Sequence, residues 1–192
     1  GNVTITLDPA PSIPGNMHIT VTAFNKIPHI DSIPIVSPSG PYVVLSSIIL
    51  SAGANGQANP GENVGFGVWA KNVGVAVANG VYGLLTSSDP YVSFTVDSSW
   101  YGNIPASDSA LSNPYYDFTI ADDCPNNHAI GFDLEFHDVN DSVWISHPSV
   151  IVYAPILTYQ EVQVLDANGI VDPDETVDIA VTVENEGGAA AE

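Results

Sequence analysis

We predict from the sequence an all-β protein folded as a two-sheet sandwich, on three observations. β-branched residues dominate, with 23 Val and 17 Ile, whereas strong helix formers are scarce, with 9 Leu, 3 Gln, 2 Lys and no Arg. Gly and Pro supply 16 and 15 of the 192 residues, which predicts many turns. Between those turns lie short segments in which apolar and polar residues alternate, the pattern of strands with one buried face.

Seven strands are predicted in the middle of the chain, in an order that favours an immunoglobulin-like sandwich. They are residues 43–50, 64–72, 80–86, 92–96, 115–120, 129–137 and 142–153. Turn sequences separate them, such as Asn59-Pro60-Gly61, where Pro fixes φ and Asn bonds to nearby backbone groups. The residues predicted to lie in the core are Trp69, Phe132, Leu134 and Phe136.

An internal repeat is the most specific signal in the sequence. Residues 54–78 return 113 positions later as residues 167–191, with 11 identities at 25 aligned positions and no gap. Both copies hold an Ala-Asn-Gly segment, a Pro-x-Glu-x-Val turn, an alternating strand and an Asn-x-Gly turn. Each copy is therefore predicted to form the same turn, strand and turn.

A weaker match relates residues 17–36 to residues 128–152, which both alternate, break at polar residues and resume. Together the two matches divide the chain into closing strands of a preceding immunoglobulin-like module (1–40), a complete module (41–154) and opening strands of a following module (155–192). The boundaries fall at Pro-containing joints, residues 37–41 and Ala154-Pro155, as expected between tandem modules.

The charge balance excludes one class of partner. With 22 acidic and 2 basic side chains the formal net charge is −20, so nothing could neutralise a row of phosphates, and we expect no nucleic-acid partner. No apolar run approaches the ~20 residues of a membrane span, and no leader opens the chain at Gly1, so we expect a soluble, mature or excised piece. The sequons at Asn2 and Asn140 are compatible with secretion.

Cys124 and His128 are the candidate pair for nucleophilic catalysis, because a cysteine nucleophile needs a base within hydrogen-bond reach. A spacing of four would align them only on a helix, which Pro125 disfavours. We therefore expect a buried, structural thiol. Neither a Gly-x-Ser-x-Gly elbow nor a Gly-rich phosphate loop is present, and no enzymatic activity is expected in this chain.

Two groups of polar residues could bind a cation. Asp133, Glu135 and His137 alternate along one strand, and a solvated outer sheet face explains that row as well as a divalent metal does. The loop 166–175 offers several oxygens around a Gly, as calcium prefers. Its candidate ligands are Asp166, Asn168, Asp172 and Glu175. The alternative is a β-turn that uses Asn-Gly and Asp-Pro for backbone reasons alone. Calcium is the one cofactor that the sequence indicates.

The segment Gly-Asn-Met-His-Ile-Thr-Val-Thr-Ala-Phe-Asn-Lys-Ile-Pro-His-Ile (15–30) resembles the immunoglobulin-like segment that closes gingipain-like cysteine peptidases. Asn-Pro-Gly-Glu (59–62), Asp-Pro-Asp-Glu (172–175) and Cys-Pro-Asn-Asn-His (124–128) resemble the adhesin-type repeats downstream of such catalytic domains. The resemblance implies a secreted or cell-surface, non-catalytic module whose peptidase domain would lie before Gly1. Asp174 departs from the Gly usual in the repeat.

The sequence supports three alternative functions. The first is an extracellular spacer or adhesion module, whose partners are neighbouring modules of the same longer chain or of adjacent subunits. The alternative is a filament subunit, in which the incomplete ends pair by β-strand complementation into a head-to-tail homopolymer. A third, carbohydrate binding, depends on the aromatic side chains of Trp100, Tyr101, Tyr115 and Tyr116.

Overall fold

The computed structural model describes residues 5–7, 11, 13, 15–35, 39–166 and 168–191, with the backbone alone for Pro34. Every regular element among these residues is a β-strand. The first five are β1 (Gly15–Val21), β2 (His29–Ile35), β3 (Val43–Ser51), β4 (Asn63–Asn72) and β5 (Ala78–Thr86). The next five are β6 (Val92–Val96), β7 (Ser98–Ile104), β8 (Ser109–Leu111), β9 (Tyr116–Ile120) and β10 (His128–Gly131). The last five are β11 (Asp133–His137), β12 (Val143–Ser146), β13 (Ser149–Val152), β14 (Leu157–Val164) and β15 (Ile179–Asn185).

Strands β3 to β13 form a sandwich of two antiparallel sheets. One sheet has the order β3-β4-β9-β6, with β8 also pairing with β4. The other has the order β12-β11-β5-β7. A short pair, β10 with β13, lies alongside, and Val152 bridges to Ala58. The predicted fold class, an all-β immunoglobulin-like β-sandwich, is confirmed.

Aromatic side chains from the first sheet meet Phe132, which lies between β10 and β11, in the core of the sandwich. Phe132 lies 5.6 Å from Phe66 and 5.1 Å from Phe118, measured between ring centroids. Phe66 comes from β4 and Phe118 from β9, so Phe132 covers the inner face of the first sheet. Such ring pairs add to the free energy gained from burial. The predicted core residues Phe132, Leu134 and Phe136 are confirmed as buried.

The prediction that Trp69 lies in the core is wrong. Its side chain is 36% exposed, whereas its strand neighbours Val68 and Ala70 are fully buried. Because side chains alternate along a strand, burying Val68 and Ala70 turns Trp69 to the outer face. The alternation along β4 correctly predicts an outward Trp69, whereas the large size of the indole wrongly predicts burial.

Two predicted strands are interrupted. The segment 129–137 divides at Phe132 into β10 and β11, which pair with different partners, β13 and β12. The segment 142–153 divides at His147-Pro148, and the Pro148 carbonyl accepts from the Phe132 N–H at 2.9 Å. Since Pro has no N–H to give to a ladder, it marks the break. The sequence does not predict β7 and β8, because their sequences, Ser-Ser-Trp-Tyr-Gly-Asn-Ile and Ser-Ala-Leu, show little alternation of apolar and polar residues.

Two hairpins flank the sandwich. β1 pairs with β2, and β14 pairs with β15, in separate two-stranded sheets. The weaker match therefore relates a single hairpin to the four strands β10 to β13, and residues 36–38 lie outside the described residues. The division into modules at 1–40, 41–154 and 155–192 remains a prediction.

Candidate functional site

Asn72 ends β4, and its amide joins the three chain segments that meet there. Its Oδ1 accepts from the N–H groups of Tyr42 and Gly74, each at 3.0 Å. Its Nδ2 donates to the carbonyls of Ala76 and Ile104 at 2.8 and 2.9 Å. One fully buried side chain thus satisfies four backbone groups that the strand end leaves unpaired.

Asn185 ends β15 and repeats this arrangement. Its Oδ1 accepts from Ile156 and Gly187 at 3.0 Å, and its Nδ2 donates to Ala189 at 2.7 Å. A Cβ on Gly187 would lie 2.2 Å from the Ala154 carbonyl oxygen. At the corresponding turn, a Cβ on Gly74 would lie 2.3 Å from the Gly40 carbonyl oxygen. The two Asn-x-Gly turns therefore need glycine for the same reason, a close backbone approach.

The Pro-containing turns also correspond. In the first, Glu62 Oε2 accepts from the Asn59 N–H at 3.1 Å. In the second, Glu175 Oε2 accepts from the Asp172 N–H at 2.9 Å. The residues after the two prolines have positive φ, 77° for Gly61 and 66° for Asp174. Asp174 thus occupies a left-handed position that costs a non-glycine residue free energy.

Strand pairing continues the correspondence. Val43 pairs with Asn72 in the sandwich, and Leu157 pairs with Asn185 in the C-terminal hairpin. The register shifts between Leu45 and Ser47 in β3, and between Tyr159 and Glu161 in β14. A bulge at matching places keeps matching residues on one face. The two repeat copies therefore share both turns and the strand pairing next to the Asn-x-Gly turn, although β15 begins three residues later in its copy than β4 does.

Burial is where the two copies differ. Three inward residues of β4 have 0% exposure, whereas their counterparts in β15 are 54–59% exposed. The pairs are Phe66 and Ile179, Val68 and Val181, and Ala70 and Val183. Within the described residues, the face that a second sheet covers in the sandwich is thus uncovered in the C-terminal hairpin.

The strand registers show which side chains of each terminal hairpin share a face. The C-terminal apolar face consists of Tyr159, Val162, Val164, Ile179, Val181 and Val183. The corresponding face of the N-terminal hairpin carries Met17, Ile19, Val21, Ile33 and Ile35, together with Asp31 and His29, which pair with Ile19 and Val21. The opposite face of the C-terminal hairpin is polar, and there Gln160 Nε2 donates to Glu184 Oε2 at 2.9 Å.

Asn126 joins the sandwich to the C-terminal hairpin. Its Oδ1 accepts from the N–H groups of Ala154 and Gly188 at 3.0 and 3.3 Å. The Gly188 N–H also donates to the Ala154 carbonyl at 3.0 Å. A Cβ on Gly188 would lie 2.6 Å from Tyr153 Cδ1, so glycine permits this close contact. Hydrogen bonds and the absence of a side chain therefore fix the joint.

A cleft of about 860 Å³ lies at this joint. It is lined by Ala54, Asn55, Asn59, Pro60, Glu62, Asp122, Asp123, Cys124, Pro125, Asn126, Ala154, Pro155, Ile156, Ala189 and Ala190. Burial raises the pKa of the Cys124 thiol, and the charges of Asp89 and Asp123 raise it further. A raised pKa keeps the thiol protonated at neutral pH, the less nucleophilic form.

His128 lies near Cys124 in sequence but bonds elsewhere. Its Nε2 lies 2.8 Å from Asp89 Oδ2, and its ring meets that of Tyr91 edge-on at 5.0 Å. Separate turns hold the two residues, with the Cys124 N–H donating to Ala121 and the His128 N–H to Pro125. The described residues give no hydrogen bond between the thiol and the imidazole.

The polar row on β11 faces outward, opposite the buried Leu134 and Phe136. His137 Nε2 lies 3.1 Å from Glu135 Oε2, whereas Asp133 Oδ1 lies 2.8 Å from His147 Nδ1. The three side chains of the row thus divide between two contacts. In the described part of the chain, no three His, Cys, Asp or Glu side chains form a group that could hold a metal ion.

The candidate calcium ligands form hydrogen bonds within their own loop. Asp166 Oδ1 accepts from the N–H groups of Asn168 and Gly169. Asn168 Nδ2 donates to Asp172 Oδ2 at 3.3 Å, and Asn55 makes the same contact with Asn59 in the first copy. These hydrogen bonds are the ones expected of a β-turn that binds no metal. The first copy forms the contact between its fourth-neighbour side chains with two Asn residues, neither of which is acidic. Calcium binding by Asp166, Asn168, Asp172 and Glu175 remains a prediction.

The four aromatic residues considered for carbohydrate binding do not form one surface. Trp100 is 54% exposed, but Tyr101 and Tyr116 lie in the core, where their hydroxyl oxygens are 3.1 Å apart. Burial raises the pKa of Tyr116 to about 12. On the outer face, Trp100 is instead the register partner of Tyr82, which pairs in turn with His137. The predicted set is therefore wrong for Tyr101 and Tyr116.

No protein-family model and no curated protein matches this chain. Among solved structures, a PapD-like (ASH) domain of human CEP192 matches 71% of this chain over 96% of its own length, with 14% identity and a TM-score of 0.37. BcpA, the major pilin subunit of Bacillus cereus, matches 88% of this chain over 66% of its own length, with 9% identity and a TM-score of 0.29. With these identities and TM-scores, neither match carries a conclusion about this chain.

The sequence contains no apolar run long enough for a membrane span. Among the described residues, no helix has the length and hydropathy to cross a bilayer. The sequon residue Asn140 lies in the exposed turn after β11, where its Nδ2 donates to Asp138 Oδ2 at 3.2 Å. The other sequon residue, Asn2, lies outside the described residues.

Sequence reasoning missed the residues that form the joint. Asn126 belongs to the segment 124–128, whose resemblance predicts no contact with the C-terminal hairpin, and Gly188 takes the place of Val75, so the repeat gives no signal there. The signal available was the pair Gly187-Gly188 directly after a strand, which is typical of a close backbone approach.

Proposed function

We propose that this chain is a non-catalytic segment of a tandem array of immunoglobulin-like modules, which acts as an extracellular spacer or adhesion element. One observation carries the proposal. The C-terminal hairpin reproduces the turns, register and bulge of the opening strands of the sandwich, yet its apolar face is uncovered. A two-stranded hairpin is only marginally stable in water on its own. The proposal is therefore that this hairpin packs against the remaining strands of a second sandwich.

The joint supports a spacer role. Because Asn126 and Gly188 hold the hairpin against the sandwich by hydrogen bonds, successive modules would keep a set orientation. Joints that rely on a flexible linker lack such contacts. A non-catalytic role is also supported by the buried, protonated thiol of Cys124.

We propose further that the array belongs to a secreted bacterial protein, a gingipain-like peptidase whose catalytic domain lies elsewhere. The support is the resemblance of residues 15–30 and of the two Pro-containing turns to repeats of that class. The sequon at Asn140 lies on an exposed turn, as an extracellular surface would place it.

The test is the intact mass of the native protein together with the sequence that flanks residues 1 and 192. The proposal expects a segment like 79–154 after residue 192, and a catalytic domain before the first module. A native protein that continues into an unrelated fold would contradict the array. Cell fractionation of the native source checks the extracellular location.

A filament subunit is the second candidate, favoured by the exposure of both terminal hairpins within one chain. Exposed strand edges can accept a strand from another subunit, and a head-to-tail contact that does not close forms a polymer. Light scattering over a range of concentrations distinguishes a monomeric spacer from a polymer.

A further inference from the structure

A row of aromatic side chains crosses the outer face of the sheet β12-β11-β5-β7, all four strands of which belong to the complete sandwich. Tyr82 pairs with Trp100 on one side and with His137 on the other, so the three side chains share this face. The rings of Tyr82 and His137 are stacked, with their centroids 4.9 Å apart. Tyr82 is 43% exposed and Trp100 is 54% exposed. The row therefore offers aromatic surface to a ligand.

Two glycines make room for the indole of Trp100. A Cβ on Gly80 would lie 3.6 Å from Trp100 Cη2, and a Cβ on Gly102 would lie 3.6 Å from Trp100 Nε1. These two atoms belong to different rings of the indole, so the indole extends over both glycines. Gly80 and Gly102 have φ of 59° and 73°, which glycine adopts without strain. Backbone thus supports one face of the indole, and the other face points to solvent.

The turn between β11 and β12 borders this indole. A Cβ on Gly80 would lie 2.5 Å from Val139 Cγ1, so Val139 and Trp100 meet over the same glycine. The Val139 N–H donates to the Asn79 carbonyl at 3.1 Å, which ties the turn to the start of β5. Asn140 follows Val139 directly and is exposed. A group attached to Asn140 would therefore reach the open face of the indole.

Asp138 holds the side chain of Asn140 and the backbone around it. Its Oδ1 accepts from the N–H groups of Asn140 and Ser142 at 2.9 and 3.0 Å, and its Oδ2 accepts from Asn140 Nδ2 at 3.2 Å. The amide nitrogen of Asn140 carries two hydrogens, so this bond can persist when one is replaced. Residues 140–142 form the sequon Asn-x-Ser, and Asp138 stands two residues before it. Bacterial oligosaccharyltransferases accept this longer form, Asp-x-Asn-x-Ser.

We infer that Asn140 carries an N-linked glycan and that the first sugar packs on the open face of Trp100. The C–H groups on one side of a pyranose ring are apolar and fit an aromatic face, and the hydroxyl groups stay in water. The glycan would thus cover an exposed aromatic surface with a polar one. The inference rests on the proposed extracellular location, since N-linked glycans are carried by exported proteins.

The transfer needs one co-reactant, an oligosaccharide joined to a lipid diphosphate. Asn140 Nδ2 attacks the anomeric carbon of the sugar, and a C–N bond forms. The bond from that carbon to the diphosphate oxygen breaks, the lipid diphosphate leaves, and the amide nitrogen releases one proton. No oxidation or reduction takes place.

Mass spectrometry of the protein purified from its native source tests the attachment. We expect the peptide that contains Asn140 to be heavier by the mass of an oligosaccharide, and fragmentation to locate that mass on Asn140. An unmodified Asn140 throughout the native protein would overturn the inference. Cell fractionation of the same source tests the extracellular location separately, so a secreted but unmodified protein would refute the glycan alone.

Two variants at one position, expressed in the native source, test whether the sequon directs the modification. Ser142→Ala removes the hydroxyl that the sequon requires, whereas Ser142→Thr keeps a hydroxyl. We expect loss of the glycan in Ser142→Ala and its retention in Ser142→Thr. Equal modification of the two variants would contradict the assignment to the sequon.

The indole N–H resonances test the contact with Trp100. The glycosylated protein and the Asn140→Gln variant should differ in the Trp100 resonance. Trp69 is the matched control, because it is an exposed indole on the outer face of the other sheet, and its resonance should stay unchanged. A glycan on Asn140 that leaves the Trp100 resonance where it is in Asn140→Gln would overturn the packing.

Discussion

Asn72 and Asn185, 113 positions apart in the chain, hold their turns by the same pair of contacts. Each Oδ1 accepts from the N–H two residues later at 3.0 Å. Each Nδ2 donates to the carbonyl four residues later, at 2.8 and 2.7 Å. Asn72 is fully buried, whereas Asn185 is exposed. A comparison of the two therefore measures how much burial adds to the stability that these contacts provide.

Replacing Asn72 by Ala should lower the free energy of unfolding of the sandwich by about 3 kcal/mol, because a buried side chain that makes four hydrogen bonds to the backbone is lost. Asn185→Ala should cost about 1 kcal/mol or less, and should leave the sandwich transition unchanged. Urea unfolding followed by tryptophan fluorescence measures the sandwich, which holds all three Trp residues, and amide hydrogen exchange in β15 measures the C-terminal hairpin. Similar losses for the two variants would show that the turn contacts act independently of burial.

The left-handed conformation at Asp174 gives a second prediction. Asp174→Gly should stabilise the C-terminal hairpin by roughly 0.5–1 kcal/mol, because it removes the cost of a positive φ at a residue with a side chain. Amide hydrogen exchange in β14 and β15 should slow correspondingly. The reciprocal change Gly61→Asp should destabilise the sandwich, since a Cβ there would lie 2.7 Å from Asp122 Oδ1. Faster exchange in Asp174→Gly would contradict the prediction.

Asp138 gives a pH dependence. Burial alone would raise the pKa of Asp138, but hydrogen bonds from Ser142 and Asn140 outweigh it, so that the pKa is lowered. A carboxyl whose pKa is lower in the folded state stabilises the fold above the unfolded-state pKa, about 3.9. That stabilisation is lost as the pH falls through the folded-state pKa.

Asp138→Asn should therefore cost about 1 kcal/mol at pH 7, and the difference from wild type should shrink below about pH 4. Urea unfolding at a series of pH values measures it. Asp97→Asn is a suitable control, because the Asp97 side chain makes none of the described hydrogen bonds. A difference that grows as the pH falls would contradict the assignment.

Calcium binding in the loop 166–175 can be tested without reference to function. The prediction expects calcium, added to about 10 mM, to shift the amide resonances of Asn168 and Gly169, in the affinity range of extracellular modules. Asp166→Asn should abolish the shift while keeping an oxygen that accepts from the same N–H groups. Identical spectra with calcium and with a chelator would leave the four side chains as turn residues.

The sequence predicted most of the fold because its strands alternate clearly. Val64, Phe66 and Val68 stand two apart and all lie in the core. Strands β7 and β8 were missed because Ser and Gly dilute the alternation, and tertiary pairing with β5 and β4 decides their conformation. The repeat likewise predicted the paired turns, since identical Asn, Gly and Glu residues make the same local bonds.

The joint could not be predicted in the same way. Asn126 accepts from Gly188, 62 residues away, and no local pattern reports such a distant contact. The wrong prediction for Trp69 has another cause. The large apolar indole suggests burial, whereas the position of Trp69 in the alternation places it on the outer face. The exposure of the apolar side chains in the two terminal hairpins could not be predicted either. A sequence shows which residues are apolar but not which residues cover them.

The most direct test of the central claim is an exchange of hairpins. In a chain of residues 154–191 followed by 79–154, the C-terminal hairpin replaces the opening strands, with residues 40–154 as the reference. Urea unfolding is followed by the fluorescence of Trp100 and Trp144, which both chains retain. A second version with Ile179→Phe and Val183→Ala restores the core volumes of Phe66 and Ala70. If residues 155–191 are the opening strands of a sandwich, at least the second version unfolds in one cooperative transition. If both versions lack a cooperative transition while the reference has one, the claim is contradicted.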